Sequence, residues 1–112
     1  MTSSSDRTQK IRVLNDAFRQ TFAGGKVVVS AGVAELAEIA VANALLEVAR
    51  YDRFDEDNDP YGEHDFGAFE FLSRTFFWKI EYYDLTLAAG SEDPSDPQCT
   101  TRVLTLMLAD EY

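Results

Sequence analysis

The chain has 112 residues, of which 46% are hydrophobic and 27% charged, so it can fold as one domain around a core. Ten basic residues against twenty acidic ones give a net charge of −10, and a surface this negative excludes direct binding of nucleic acid or anionic lipid. The single cysteine excludes an internal disulfide, and the sequence shows neither a signal peptide nor an apolar run of membrane length. These features predict a single cytoplasmic domain, residues 1–112, with residues 1–5 disordered.

The charge is distributed unevenly along the chain. Residues 1–26 carry five basic and two acidic residues, a net charge of +3, whereas residues 27–112 carry five basic and eighteen acidic residues, a net charge of −13. Such a split favours a protein partner with a basic surface. The alternative is that the charge serves solubility alone.

The first half of the chain predicts a helix, a strand and a second helix. Ile11, Leu14, Phe18 and Phe22 recur at helical spacing, which indicates an amphipathic helix. The β-branched run at residues 26–30 predicts a strand, and its unbroken apolar character predicts burial on both faces, either in the middle of a sheet or under covering helices. The alanine- and leucine-rich stretch at residues 34–50 predicts a helix. Its buried face is expected to hold Leu36, Ile39, Ala42, Leu46 and Ala49, widened by Val41, Leu45 and Val48.

Residues 52–67, here called the first acidic loop, separate this half from the next. They hold seven of the twenty acidic residues, together with the only histidine, His64. Asn58, Asp59 and Pro60 are typical of turns.

The second half predicts a hairpin and a last helix. Residues 66–72 and 75–84 alternate apolar and polar side chains, as two paired strands do. Residues 85–97, here called the second acidic loop, contain Glu92 and Asp93, and Asp96–Pro97 resembles a helix start. A helix is therefore predicted over residues 98–109. The predicted fold is α+β, with the order α-β-α-β-β-α and a small, mainly antiparallel sheet of about three strands covered by helices.

Three groups of residues could in principle carry chemistry: the aspartates of the first acidic loop, Cys99 and His64 with its neighbours. Asp55, Asp57 and Asp59 alternate as in a calcium loop, but the glycine and glutamate that such a loop requires are replaced by Pro60 and Phe66, so a solvated loop is favoured. Cys99 would lie in the first turn of the last helix, where the helix dipole lowers a thiol pKa, but an ordinary thiol is favoured. No metal or cofactor is predicted.

His64 lies between Glu63 and Asp65. It could act as a general base or as one arm of a metal site. Adjacent residues diverge on an extended chain, so the three side chains are not expected to converge. A structural histidine that ties the first acidic loop to the hairpin is favoured.

Several strings in this sequence resemble a family of small acidic bacterial proteins catalogued only as a domain of unknown function. They are IRVLNDAFRQT, GGKVVVSAGV, NDPYGEHDFGAFE, FFWKIEYYD, GSEDPSDP and TTRVLTLMLADEY, which together span about residues 10–112. The resemblance implies no catalytic residue. It implies a gene often found on plasmids and integrated elements, and hence a role against host defence, such as an anti-CRISPR or anti-restriction protein that mimics DNA.

The leading hypothesis is a non-enzymatic module that binds a protein with a basic surface. The predicted binding residues are Asp55, Glu56, Asp57, Asp59, Tyr61, Glu63, His64, Asp65, Glu92 and Asp93. The alternative is a small enzyme or metal-dependent protein centred on His64 with Glu63 or Asp65. The chain is expected to be a monomer, or a homodimer paired through a strand edge or the wet face of the hairpin.

Overall fold

A computed structural model describes residues 4–112 of the protein. Residues 1–3, part of the segment predicted to be disordered, lie outside this range, whereas residues 4 and 5 belong to the first helix. The elements are α1 (Ser4–Thr21), β1 (Gly25–Val29), α2 (Ala31–Ala34), α3 (Glu38–Ala49), β2 (Phe66–Phe71), β3 (Arg74–Tyr83), β4 (Thr101–Leu108) and a short 3₁₀ helix (Ala109–Glu111). The α+β class is confirmed. The predicted order is wrong in two places, because two helices, α2 and α3, replace the single helix predicted over residues 34–50, and a strand replaces the last helix.

The sheet has four strands in the described chain, in the order β1-β4-β3-β2. β1 runs parallel to β4, and the other neighbours are antiparallel. The prediction of about three strands, with β1 buried on both faces, is therefore wrong. β1 is an edge strand with Val28 exposed, and its apolar character reflects one buried face and one open face.

The predicted C-terminal helix is instead strand β4, which pairs with both β1 and β3. Arg102, Leu104, Leu106 and Leu108 alternate toward the buried side, which is the period of a strand. The same apolar residues also satisfy helical spacing, so periodicity alone was ambiguous. This segment is a strand because it forms backbone hydrogen bonds with β1 on one side and with β3 on the other.

The hairpin is confirmed. β2 and β3 pair antiparallel around Leu72 and Ser73, which have φ values of 55° and 59°. Positive φ at both loop residues gives the turn the twist that a two-residue hairpin requires.

One core lies between the helices and one face of the sheet. Phe76, Trp78 and Leu106 from the sheet and Val48 from α3 are all buried in it. The predicted buried face of the second helix is confirmed for Leu36, Val41, Leu45 and Val48, but it is wrong for Ile39 and Leu46, which are 70% and 46% exposed. The helix uses the face centred on the following residues: Val41, Ala44, Leu45 and Val48. Within residues 4–112, no helix is long and apolar enough to span a membrane.

Candidate functional site

Helix α1 lies between the two acidic loops and contacts both. The Arg12 guanidinium donates to the Gly62 carbonyl in the first acidic loop (3.2 Å). Arg7 forms an ion pair with Asp93 in the second acidic loop (3.1 Å). The basic N-terminal segment and the acidic loops are therefore neighbours, and their charges partly compensate each other.

His64 joins the first acidic loop to α1. Its Nδ1 lies 2.8 Å from an Asp16 carboxylate oxygen, and its ring stacks on Phe54 with the centroids 3.8 Å apart. Its backbone N–H donates to the buried Asp59 carboxylate, and its Nε2 lies 3.7 Å from the same group. Its φ of 54° turns the chain sharply before β2. These contacts give His64 a structural role in which the ring reaches helix α1, whereas the sequence predicted a link to the hairpin.

Glu63 and Asp65 do not share the His64 ring. The Glu63 carboxylate accepts a hydrogen bond from the Tyr82 hydroxyl (2.6 Å), while Asp65 is half-buried. Burial raises the pKa of the Asp65 carboxyl above its ordinary value, and the negative charge of Glu63 raises it further. The expectation that these three consecutive residues diverge is confirmed.

A second polar network lies beneath the end of this loop. Fully buried Asn15 donates to the Glu63 carbonyl (3.0 Å) and the Tyr82 hydroxyl (2.8 Å), and it accepts from Arg102 Nε (2.7 Å). Burial, followed by the hydrogen bond to Glu63, raises the pKa of Tyr82. Arg102 also donates to the Pro94 carbonyl, so the network connects the two acidic loops beneath α1.

Arg19 ties α1 to the end of α3. It is 2% exposed and donates to the carbonyls of Val48, Ala49 and Tyr51 at 2.8–3.2 Å. Its other terminal nitrogen lies 3.0 Å from Asp16. It thereby satisfies carbonyls that the end of a helix leaves without partners.

The tip of the first acidic loop is exposed but ordered. The Asp55 carboxylate accepts from the backbone N–H groups of Asp57 and Asn58, each at 2.9 Å. Asn58 in turn accepts from the Asp55 N–H (2.9 Å) and donates to the Arg53 carbonyl (2.7 Å). Asp55, Glu56 and Asp57 thus project from a fixed turn.

A metal site does not form from these side chains. Asp59 faces inward toward His64, while Asp55 and Asp57 lie at the exposed tip. Across residues 4–112, no group of three His, Cys, Asp or Glu side chains is placed to hold a metal ion.

Open grooves flank α1 on both sides, and two of them border the acidic loops. The first, about 540 Å³, lies between the helix and the first acidic loop, and its rim includes Glu56 and Tyr61, the latter 78% exposed. The second, about 570 Å³, lies between the helix and Ser95 and Pro97 of the second acidic loop. Gln9 lines both grooves, so the two loops stand on either side of one helix.

In the second acidic loop, Glu92 is exposed and Asp93 accepts from the Ser95 hydroxyl (2.6 Å) and N–H (3.1 Å). The Ser95 hydrogen bond holds the pKa of Asp93 below its ordinary value. Cys99 lies in the irregular segment between the second acidic loop and β4 and not in a helix, so the prediction that a helix dipole lowers its thiol pKa is wrong. Its Sγ lies 3.6 Å from the carbonyl oxygens of Asp93 and Asp96.

The sequence missed the partners contributed by α1, namely Asn15, Asp16 and Arg19. One signal was available, because Asn15 and Arg19 fall on the same stripe as Ile11, Phe18 and Phe22. A polar residue on an apolar stripe indicates a buried hydrogen-bonding partner elsewhere in the chain.

The architecture defines a small α+β domain in which two acidic loops flank a basic helix. The chain belongs to the family described as Protein of unknown function (DUF3768), whose model matches residues 29–111. The match includes both acidic loops and all of β2–β4 but leaves out α1. No curated protein and no solved structure gave a significant match.

Proposed function

We propose that the protein binds a partner with a basic surface through the acidic loops on either side of α1. The observation that carries this proposal is the ordered, exposed turn at Asp55, Glu56 and Asp57. Because the turn is fixed by its own hydrogen bonds, its carboxylates need little reorganisation on binding. Exposed Tyr61, on the rim of the adjacent groove, supplies an aromatic anchor.

The binding surface is smaller than the net charge suggests. Asp59 is buried, Glu63 is engaged by Tyr82, and Asp93 is paired with Arg7. The proposed contact residues are therefore Asp55, Glu56, Asp57 and Tyr61, with Glu92 across the helix. His64, Asp59, Glu63 and Asp65 support this surface from beneath.

The partner class that fits best is a nucleic-acid-handling complex with a basic channel. Carboxylates presented on a rigid turn can occupy positions where such a channel receives phosphates. An anti-CRISPR or anti-restriction role encoded on a mobile bacterial element is the specific form of this proposal. Its direct test is inhibition of DNA cleavage by a purified Cas9–guide complex and by a type I restriction enzyme.

The binding surface is tested by neutralising the tip with the triple variant Asp55→Asn/Glu56→Gln/Asp57→Asn. Immobilised protein is exposed to a bacterial lysate at low salt, retained proteins are eluted with a salt gradient, and association is then measured with the purified partner. We expect association to slow by about tenfold and its salt dependence to flatten, because long-range attraction steers the encounter.

A matched control separates local recognition from bulk charge. Neutralising Glu35, Glu38 and Glu47, which are exposed around α2 and α3, removes the same number of charges. This control should leave association nearly unchanged. Equal slowing by both triple variants, or no slowing by the tip variant, would contradict the proposal.

A further inference from the structure

The helices cover only one face of the sheet. Phe18 of α1, Val33 of α2 and Val48 of α3 all belong to the core cluster that includes Phe76 and Trp78 of β3. Residues that alternate with these sheet positions point to the opposite side, here called the open sheet face. On the open sheet face, the chain contributes Tyr112, which follows the 3₁₀ helix and packs against Phe66 and Phe77.

The open sheet face is apolar at its centre. Phe77 packs against Phe66 (ring centroids 5.2 Å apart) and Tyr112 (5.6 Å), while Val28 on the edge strand is 45% exposed and Tyr112 is 75% exposed. Val103, directly across from Glu81 of β3, is half-buried. The strand register places Thr105 and Lys79 between Val28 and Phe66, so the face holds an apolar cluster around Phe77 and a separate exposed valine on the edge strand. An exposed apolar cluster on one side of a sheet indicates an interface.

The strands contribute balanced charges to this face, unlike the rest of the molecule. Its cations are Lys26 and Lys79, and its anions are Glu70 and Glu81. Lys79 and Glu81 lie 3.1 Å apart. The chain as a whole carries a charge of −10, so its negative charge is concentrated elsewhere.

We propose that the open sheet face pairs two copies of this chain into a symmetric dimer. A basic partner gains nothing here, because the face has no excess of carboxylates. A second copy can approach it without local repulsion, and in a two-fold arrangement each copy presents lysine 79 near glutamate 81 of the other. Both acidic loops contact α1 on the opposite side of the sheet, so they stay free in the dimer.

The affinity of the two copies for each other should depend on salt in a characteristic way. Each copy carries a large negative charge, so association must overcome long-range repulsion that salt screens. The dimer should therefore tighten as salt rises. Binding of a basic partner by the acidic loops should weaken under the same conditions, which keeps the two interactions distinguishable.

The test is sedimentation equilibrium of the full chain from micromolar to several hundred micromolar, at low and high salt. We expect a monomer–dimer equilibrium that tightens with salt. Val28→Lys should weaken it by at least about tenfold, because the new ammonium would be buried without a partner. Tyr112→Lys, at an even more exposed position, provides a second variant should Val28→Lys fail to fold.

Ile39→Lys is the matched control, since it adds the same charge at a residue 70% exposed on α3. It should leave the dimer intact or tighten it slightly by lowering the net negative charge. A wild-type chain that stays monomeric at every concentration would overturn the proposal. So would an equal weakening by the Val28→Lys and Ile39→Lys variants.

Discussion

The two acidic loops have similar compositions but are held in different ways. In the first, Asp59 is buried against His64 and Glu63 holds Tyr82, while the tip at Asp55 folds back on its own backbone. In the second, Asp93 folds back onto the backbone of its own loop through Ser95, and Asp84, which immediately precedes the loop, does the same through Ala88. The first loop is fixed by the helix beneath it, and the second mainly by itself.

This difference changes how an acidic cluster is interpreted. Counting charges assigns seven carboxylates of the first loop to one surface. The structure assigns Asp59, Glu63 and Asp65 to support of the fold and leaves the turn at 55–57 exposed. Only the exposed group can both attract and contact a partner, because Asp59 and Glu63 already accept hydrogen bonds inside the fold.

The largest change in stability should come from Arg19, which ties α1 to the end of α3, just before the first acidic loop. Arg19→Met removes a donor from three carbonyls and from Asp16, and of these carbonyls that of Val48 keeps the Tyr51 N–H as a partner. We expect the free energy of unfolding to fall by about 3 kcal/mol. Urea denaturation checks this, provided that the slope with denaturant stays constant.

Arg7→Gln is the control on the same helix, where the ion pair with Asp93 is exposed. Its unfolding midpoint should match that of the wild type, because exposed pairs contribute little. If Arg7→Gln destabilised as much as Arg19→Met, the contrast between a loop fixed from beneath and a loop fixed by itself would be wrong.

A smaller effect should separate two aspartates within the first acidic loop. Asp59→Asn keeps an oxygen for the His64 N–H but loses the charge facing the ring, so we expect a loss of about 1 kcal/mol in unfolding free energy. Asp57→Asn, at the exposed tip, should not change stability measurably. Urea unfolding of both variants in the same buffer measures the difference. Equal midpoints would contradict the distinction between a structural Asp59 and an exposed, non-structural Asp57.

Much of the fold followed from local sequence patterns. The hairpin was predictable because its alternation coincides with a two-residue turn, and α1 because its apolar stripe is long. β4 was not, because Leu104, Met107 and Leu108 recur at helical spacing, while Leu104, Leu106 and Leu108 recur at strand spacing. Its pairing with β1 joins residues far apart in sequence, and no local pattern reports such pairing.

The predictions for helix α3 and for the candidate site were incomplete for a related reason. The sequence of α3 is apolar on nearly every side, so the pattern predicted too wide a buried face, and packing against the sheet left Leu46 exposed while it buried Val48. The contact between Asp16 and His64 crosses 48 positions in the chain. The composition of the first acidic loop was visible from sequence, but the helix that holds it was not.

The smallest effect should appear in the pH dependence of stability, with opposite signs for the two loops. Burial raises the folded-state pKa of Asp65, so its ionised form opposes folding above the ordinary pKa of 3.8. Asp65→Asn should therefore stabilise the protein at neutral pH, and the gain should disappear at pH values below that ordinary pKa.

For Asp93, the Ser95 hydrogen bond lowers the pKa, so its ionised form stabilises the fold above the ordinary pKa. That contribution is lost as pH falls through the folded-state pKa. Asp93→Asn should thus be slightly destabilising at neutral pH and neutral in acid. Thermal unfolding of both variants and the wild type across this pH range measures the two differences, and changes of the same sign would show that the loops do not differ in the way their carboxylates are held.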